Sequence, residues 1–277
     1  MRHCVILAIV LTLAPVLTGT ADASEATAKT VAVIGTGDMG DSLGPRLAGL
    51  GYRIIYGSRD PGSEHVAQLV AATGGDASAA PSRDAAAAAD IVILAVPWPA
   101  METVARNLGD LDGKIVIDIS MPFAQGADGY PEHLLPTSSA QMIQQWNPGA
   151  RVVKAFATMG SQIIDDPGEA GGIVSIPVAS DDRAAKELVA KIIADMQLDP
   201  VDFGPLRMAR QIENLQLIYM IPLVQNRPEN WEFHFRRSAH YGCYWAEGYT
   251  SDVASKPYDT EDLAHFPATG DERPDCR

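Results

Sequence analysis

Apolar positions along this chain fall into two alternating patterns. Short unbroken runs rich in Val and Ile predict buried strands at 30–34, 52–56, 91–96, 114–120, 151–156, 173–179 and 199–203. Between them, apolar residues recur every three or four positions, which predicts helices over 38–50, 63–73, 81–89, 100–107, 138–146, 181–196 and 206–220. The first helix carries Met39, Leu43, Leu47 and Leu50 on one face; the helix over 181–196 carries Ala185, Leu188, Val189, Ile192, Ile193 and Met196. Gly74-Gly75 stops the second helix, and Ser82 is expected to cap the third. Pro45, beyond the first turn of its helix, should bend it. Strands separated by helices pair in parallel through right-handed crossovers. The expected class is α/β, a doubly wound and mostly parallel sheet.

The two ends of the chain depart from this pattern. Met1-Arg2-His3 precedes an apolar run from Cys4 to Leu17, and Ala21-Asp22-Ala23 follows as a small-x-small site. That order predicts a signal peptide over 1–23, cleaved near Ala23–Ser24, and an exported (periplasmic or secreted) protein; an uncleaved segment would leave it membrane-tethered or cytoplasmic. No other stretch approaches membrane-spanning length, so no membrane domain is expected after cleavage. The main domain is read as 29–204, followed by a helical and aromatic-rich extension over 205–250 and a polar, acidic, proline-bearing tail over 251–277. The aromatics of 221–250 (Trp231, Phe233, Phe235, Tyr241, Tyr244, Trp245 and Tyr249) leave three roles open: cover for a second ring, a homodimer surface, or packing on the domain.

Charge narrows the partners. A net charge of −14 repels phosphate backbones, so nucleic acid is not an expected partner. A phosphorylated cofactor is still admissible, since it answers to a local site. Of the three cysteines Cys4 would leave with the leader, and whether Cys243 and Cys276 pair is left open. No CxxC and no zinc-like spacing of Cys and His occurs, so no metal site is expected.

The chemistry begins right after the first strand. Gly35-Thr36-Gly37-Asp38-Met39-Gly40 is a GxGxxG loop placed between a β-branched strand and a helix. There the first Gly makes the turn, the second lets a pyrophosphate approach the backbone, and the third lets helix pack on strand. The pyrophosphate would face free amides at a helix N-terminus. This makes the domain Rossmann-type. A site for NAD places a carboxylate at the end of the second strand; this chain has Gly57-Ser58-Arg59 instead. A hydroxyl and a guanidinium suit a 2′-phosphate, so NADP(H) is expected over NAD(H), with Asp60 next door weakening the contrast. Pro97-Trp98-Pro99 and Met121-Pro122 end two further strands at the edge where such sheets bind ligands.

The segments VAVIGTGDMG and GYRIIYGSRDP, followed by ADIVILAVPW, KIVIDIS, VVKAF and DPVDFGPL, resemble the deazaflavin (coenzyme F420)-dependent NADP oxidoreductase family, which shares its dinucleotide domain with the STEAP-type metalloreductases. The likeness runs from about Lys29 to Met220. It implies that Gly35, Thr36, Gly37, Asp38, Met39 and Gly40 hold the pyrophosphate, that Ser58 and Arg59 hold the 2′-phosphate, and that Pro97 and Trp98 touch the cofactor. Ser63 stands where some members carry a Lys. The implied activity is hydride transfer between nicotinamide and a deazaflavin- or flavin-like acceptor, a small-molecule redox partner. Such a reaction rests on orientation of two rings, and no catalytic residue is named. Two alternatives stay open: a pyrroline-carboxylate or hydroxyacid type reductase, and an exported dinucleotide-binding or sensor module without turnover.

Overall fold

The computed structural model describes residues 29–236. In chain order these form β1 (Thr30–Ile34), α1 (Asp38–Gly49), β2 (Arg53–Ser58), α2 (Glu64–Thr73), β3 (Ser78–Pro81), α3 (Ser82–Ala87), β4 (Ile91–Leu94), α4 (Trp98–Asn107) and β5 (Ile115–Asp118). A short hairpin, β6 (Phe123–Gln125) and β7 (Pro131–His133), leads to α5 (Ser139–Trp146) and β8 (Arg151–Lys154). Then come α6 (Ser161–Asp165), β9 (Ser175–Val178), α7 (Arg183–Asp195), β10 (Asp199–Asp202), α8 (Ala209–Tyr219) and α9 (Ile221–Val224).

Six strands make one all-parallel sheet in the order β3-β2-β1-β4-β5-β8. The chain winds outward one way from β1, then returns to the other side through β4. The switch point is therefore between β1 and β4, where such sheets open a crevice at their carboxyl ends. Helices cover both faces, which is why the central strands read as unbroken apolar runs. Alternate residues of β1 divide the core. Val31 and Val33 pack with Leu43 and Leu47 of α1 and with Val189, Ile192 and Ile193 of α7. Ala32 and Ile34 pack with Ala85 and Ala86 of α3, Met101 of α4 and Ile143 of α5.

The expected α/β class and parallel Rossmann-type sheet are present, with local differences. The last two strands pair with each other and meet the main sheet only through an antiparallel bridge between Lys154 and Ala179. β3, the hairpin and α6 carry too few apolar residues to show in the sequence pattern. Ser82 opens α3 rather than capping it; Pro81 holds the cap position, and no side chain caps the helix. The helix read over 206–220 is a single 3-10 turn (Leu206–Met208) followed by α8. α1 runs unbroken through Pro45. Of the aromatic segment, Phe233 and Phe235 lie along β9: the Ser175 amide donates to the Phe233 carbonyl (2.8 Å), and Phe203 meets Phe235 edge-on. The leader read over 1–23, Tyr241, Cys243, Tyr244, Trp245, Tyr249, Cys276 and the tail over 251–277 lie outside the described residues.

Candidate cofactor cleft

The glycine loop is built by three close approaches. Gly35 has φ +110°, a backbone region that side chains avoid, and a Cβ there would sit 2.3 Å from the Ala95 carbonyl oxygen. Its amide donates to the Gly57 carbonyl at 3.1 Å, which ties the loop to β2. A Cβ on Gly40 would lie 2.2 Å from the Gly35 carbonyl oxygen, so this third glycine lets α1 start directly above β1. Gly37 is different. A Cβ there would meet nothing within 4 Å, and Gly37 caps α1 without any side-chain acceptor for the first-turn amides. The space above Gly37 is open and donor-rich, the environment an anionic group needs.

One cleft of about 900 Å³ gathers the loop and the strand tips, within the size range of cofactor sites. Of the ten residues singled out from the sequence, Gly35, Thr36, Gly37, Asp38, Met39, Ser58, Arg59, Pro97 and Trp98 line it. Gly40 does not; it is buried beneath the loop. Arg59 is exposed at the tip of β2, and its guanidinium has no protein partner among the described residues. Ser58 Oγ accepts the Asp60 amide at 3.1 Å, which folds the Ser58–Asp60 turn. Trp98 has one face already taken: its ring stacks on Trp146 with centroids 5.8 Å apart, and Arg106 lies over the Trp146 ring. It therefore anchors α4 to α5 as well as lining the cleft.

The structure adds residues that local sequence did not point to. His65 of α2 reaches back and donates from Nε2 to the Thr36 carbonyl at 2.7 Å, fixing one peptide of the glycine loop. Asp41, in the first turn of α1, is pushed above the usual carboxylate range by burial, with His65 opposing and Asp38 adding to the rise. Ile119, Ser120 and Met121 form the wall opposite the loop, with Phe123 and Gln216 nearby; of these only Met121 is marked in the sequence, as a strand end at the ligand edge. Phe123 also lines a second hollow of about 560 Å³ between the hairpin and α9, where Tyr130, Met220 and Leu223 give an apolar lining.

Behind that wall lies a buried polar cluster. Lys154 at the end of β8 donates to Asp118 Oδ2 of β5 (3.0 Å), to Ser139 Oγ of α5 (2.9 Å) and to the Ser120 carbonyl, and pairs with Glu213 Oε1 of α8 (3.2 Å). The side chains of Asp118, Lys154 and Glu213 are fully buried. Burial alone would lower the Lys154 ammonium, but Asp118 and Glu213 beside it reverse that and hold it above its ordinary value. Burial would likewise raise the Glu213 carboxyl; Lys154, then the His133 and Ser139 hydrogen bonds, hold it below the usual range. The signal that could have found this cluster was present: a charged residue ends each of two apolar strand runs, IVID and RVVK. Among the described residues no group of His, Cys, Asp and Glu could hold a metal ion, and no helix is long and apolar enough to cross a membrane.

Comparison with known proteins fits this geometry. Residues 30–122 match the family model described as NADP oxidoreductase, coenzyme F420-dependent. The F420-dependent NADP reductase of Methanothermobacter thermautotrophicus is 30% identical over 213 residues, covering 72% of this chain and 91% of that protein. Metalloreductase STEAP3 of Rattus norvegicus is 25% identical over 237 residues, or 85% of this chain. The chain spans only 36–44% of the length of the metalloreductases it matches. A solved structure of a candidate F420-dependent NADP-reductase from Arthrobacter sp. FB24 superposes with a TM-score of 0.68 at 29% identity, covering 76% of this chain and all of that one. With 91% of the archaeal reductase covered at that identity, the chain belongs to the coenzyme F420-dependent NADP oxidoreductase family.

Proposed function

We propose that this protein binds NADP(H) along the β1–β4 crevice and transfers a hydride between its nicotinamide and a flat, deazaflavin- or flavin-like acceptor. The observation that carries the reading is the pairing of an open, glycine-built anion site at Gly37 with an unpartnered guanidinium at Arg59, both on one cleft. No carboxylate stands at the last residue of β2, where ribose recognition by NAD would need one. When bound, the dinucleotide supplies the hydride chemistry. The chain's own residues bind and orient it: first-turn amides of α1 toward the pyrophosphate, Ser58 and Arg59 toward the 2′-phosphate, Pro97 and Trp98 beside the cofactor. The exposed apolar junction at Phe123, between the cleft and the neighbouring hollow, offers a surface for a second ring to cover.

The test is anaerobic mixing of the protein with NADPH and a deazaflavin, with FMN in parallel. Loss of reduced-nicotinamide absorbance matched one-to-one by acceptor reduction supports the reading. Tight NADPH binding without transfer to either ring removes the acceptor class and leaves a dinucleotide-binding module.

A further inference from the structure

Helix α8 carries polar side chains on its inward stripe. Its buried residues are Ala209, Ile212 and Glu213, and Gln216 follows them at helical spacing, while Ile218 is left 43% exposed. Burial of apolar surface alone would choose the opposite arrangement. Glu213 has its reason inside the protein. Its Oε1 accepts the Ser139 amide (2.8 Å) and meets Lys154 (3.2 Å), and its Oε2 meets His133 Nε2 (2.6 Å). Gln216, one turn on, stands outside that closed cluster. Its Oε1 is buried without a hydrogen-bond partner, a state that disfavours the structure until a donor arrives. A few other side-chain atoms among the described residues share that state, but of their residues only Gln216 lines the cleft. The missing donor therefore belongs to whatever fills the cleft.

The place of Gln216 along the cleft says which part of the ligand it meets. Arg59 marks the tip of β2, and the open glycine loop lies above β1. The sheet order β2-β1-β4-β5 then sends the other half of a dinucleotide across β4 to β5, three strand spacings or about 14 Å from β2. Gln216 belongs to that far end. One turn before it Glu213 pairs with Lys154, and Lys154 donates to the Ser120 carbonyl, in the segment just past β5 that also lines the cleft. The nicotinamide end of the cofactor carries a carboxamide, whose NH₂ group has the donors that a lone amide oxygen lacks. We propose, on the dinucleotide reading above, that Gln216 Oε1 accepts a hydrogen bond from the nicotinamide carboxamide and so fixes the orientation of the ring. A ring held by its carboxamide does not turn over about its glycosidic bond, and one face stays toward the acceptor.

A binding cycle tests this without turnover. NADP⁺ is compared with its 3-acetylpyridine analogue, which keeps the carbonyl and carries a methyl group in place of the NH₂. The wild type should bind NADP⁺ about 5–10-fold more tightly than the analogue. Gln216→Leu should weaken NADP⁺ by about that factor, leave the analogue nearly unchanged and so lose the preference. Gln216→Glu keeps an acceptor oxygen at the same place; it should keep the preference, and it serves if the leucine variant fails to fold. Gln216→Leu should also denature at or above the wild-type midpoint, because it removes an orphaned acceptor. A lowered midpoint with the preference retained would assign Gln216 to the fold and overturn the proposal. Equal binding of both nucleotides by the wild type, or equal losses for both in Gln216→Leu, overturns it too. Retained preference with weaker binding of FMN would give the amide to the acceptor instead, against the proposal. A wild type that binds neither nucleotide overturns the dinucleotide reading itself, and this assignment with it.

Discussion

The two walls of the cleft are built on opposite principles. On the β1–β2 side, recognition is left to groups the fold does not use: the first-turn amides of α1, the open space over Gly37 and the free guanidinium of Arg59. On the β5–β8 side, Asp118, Ser139, Lys154 and Glu213 are bound to one another in a buried pocket. The first wall is incomplete without a ligand. The second is complete by itself and holds the Ser120–Met121 segment in place. Removing a group from the first should cost binding, whereas removing one from the second should cost the fold.

The sharpest break of that contrast is Lys154→Met. It strands two buried carboxyls and should destabilise the protein by about 3–5 kcal/mol, read as a fall in denaturation midpoint. Full stability in that variant would mean the cluster is wetter than drawn. Gly35→Ala, by contrast, should cost stability and binding together. Its Cβ collides with the Ala95 carbonyl at a φ that alanine resists, so about 1–3 kcal/mol of stability and most dinucleotide affinity should go together. Arg59→Ala should leave stability within about 0.5 kcal/mol of wild type. It should weaken NADPH binding by about 10–100-fold, the worth of a hydrogen bond to a charged group, with NADH binding nearly unchanged.

The smallest effect lies at the opposite end of β8. Arg151 holds Asp182 at the start of α7 through two hydrogen bonds (2.7 and 2.9 Å), drawing the Asp182 carboxyl down to about 2. A carboxyl with a lowered folded value contributes stability above its unfolded value near 4, and loses it as pH falls toward about 2. The pair is about one-third exposed, so solvent screening limits that contribution to about 1 kcal/mol or less. Asp182→Asn should flatten the acid limb of the stability–pH curve over that window and change nothing at the cleft.

The same contrast explains what the sequence revealed. The glycine loop and Ser58-Arg59 each sit in one short stretch, at fixed places after a strand, so their geometry follows from local order. Nine of the ten residues chosen that way share the cleft. The opposite wall joins Asp118, Ser139, Lys154 and Glu213, spread over 95 positions, and only the β5–β8 pairing and the return of α8 bring them together. Each looked like an isolated polar residue beside apolar ones. His65 escaped notice for the same reason: its partner, Thr36, is 29 residues away. The hairpin and β3 were silent because their three or four residues include almost no large apolar side chain.

The central claim is that the open wall selects NADP(H) through Arg59. The measurement that tests it most directly is a side-by-side titration of wild type and Arg59→Ala with NADPH and with NADH. The account predicts that wild type prefers NADPH by at least about tenfold, and that Arg59→Ala erases the preference by weakening NADPH alone. Equal affinities in the wild type, or equal losses for both dinucleotides in the variant, would contradict it.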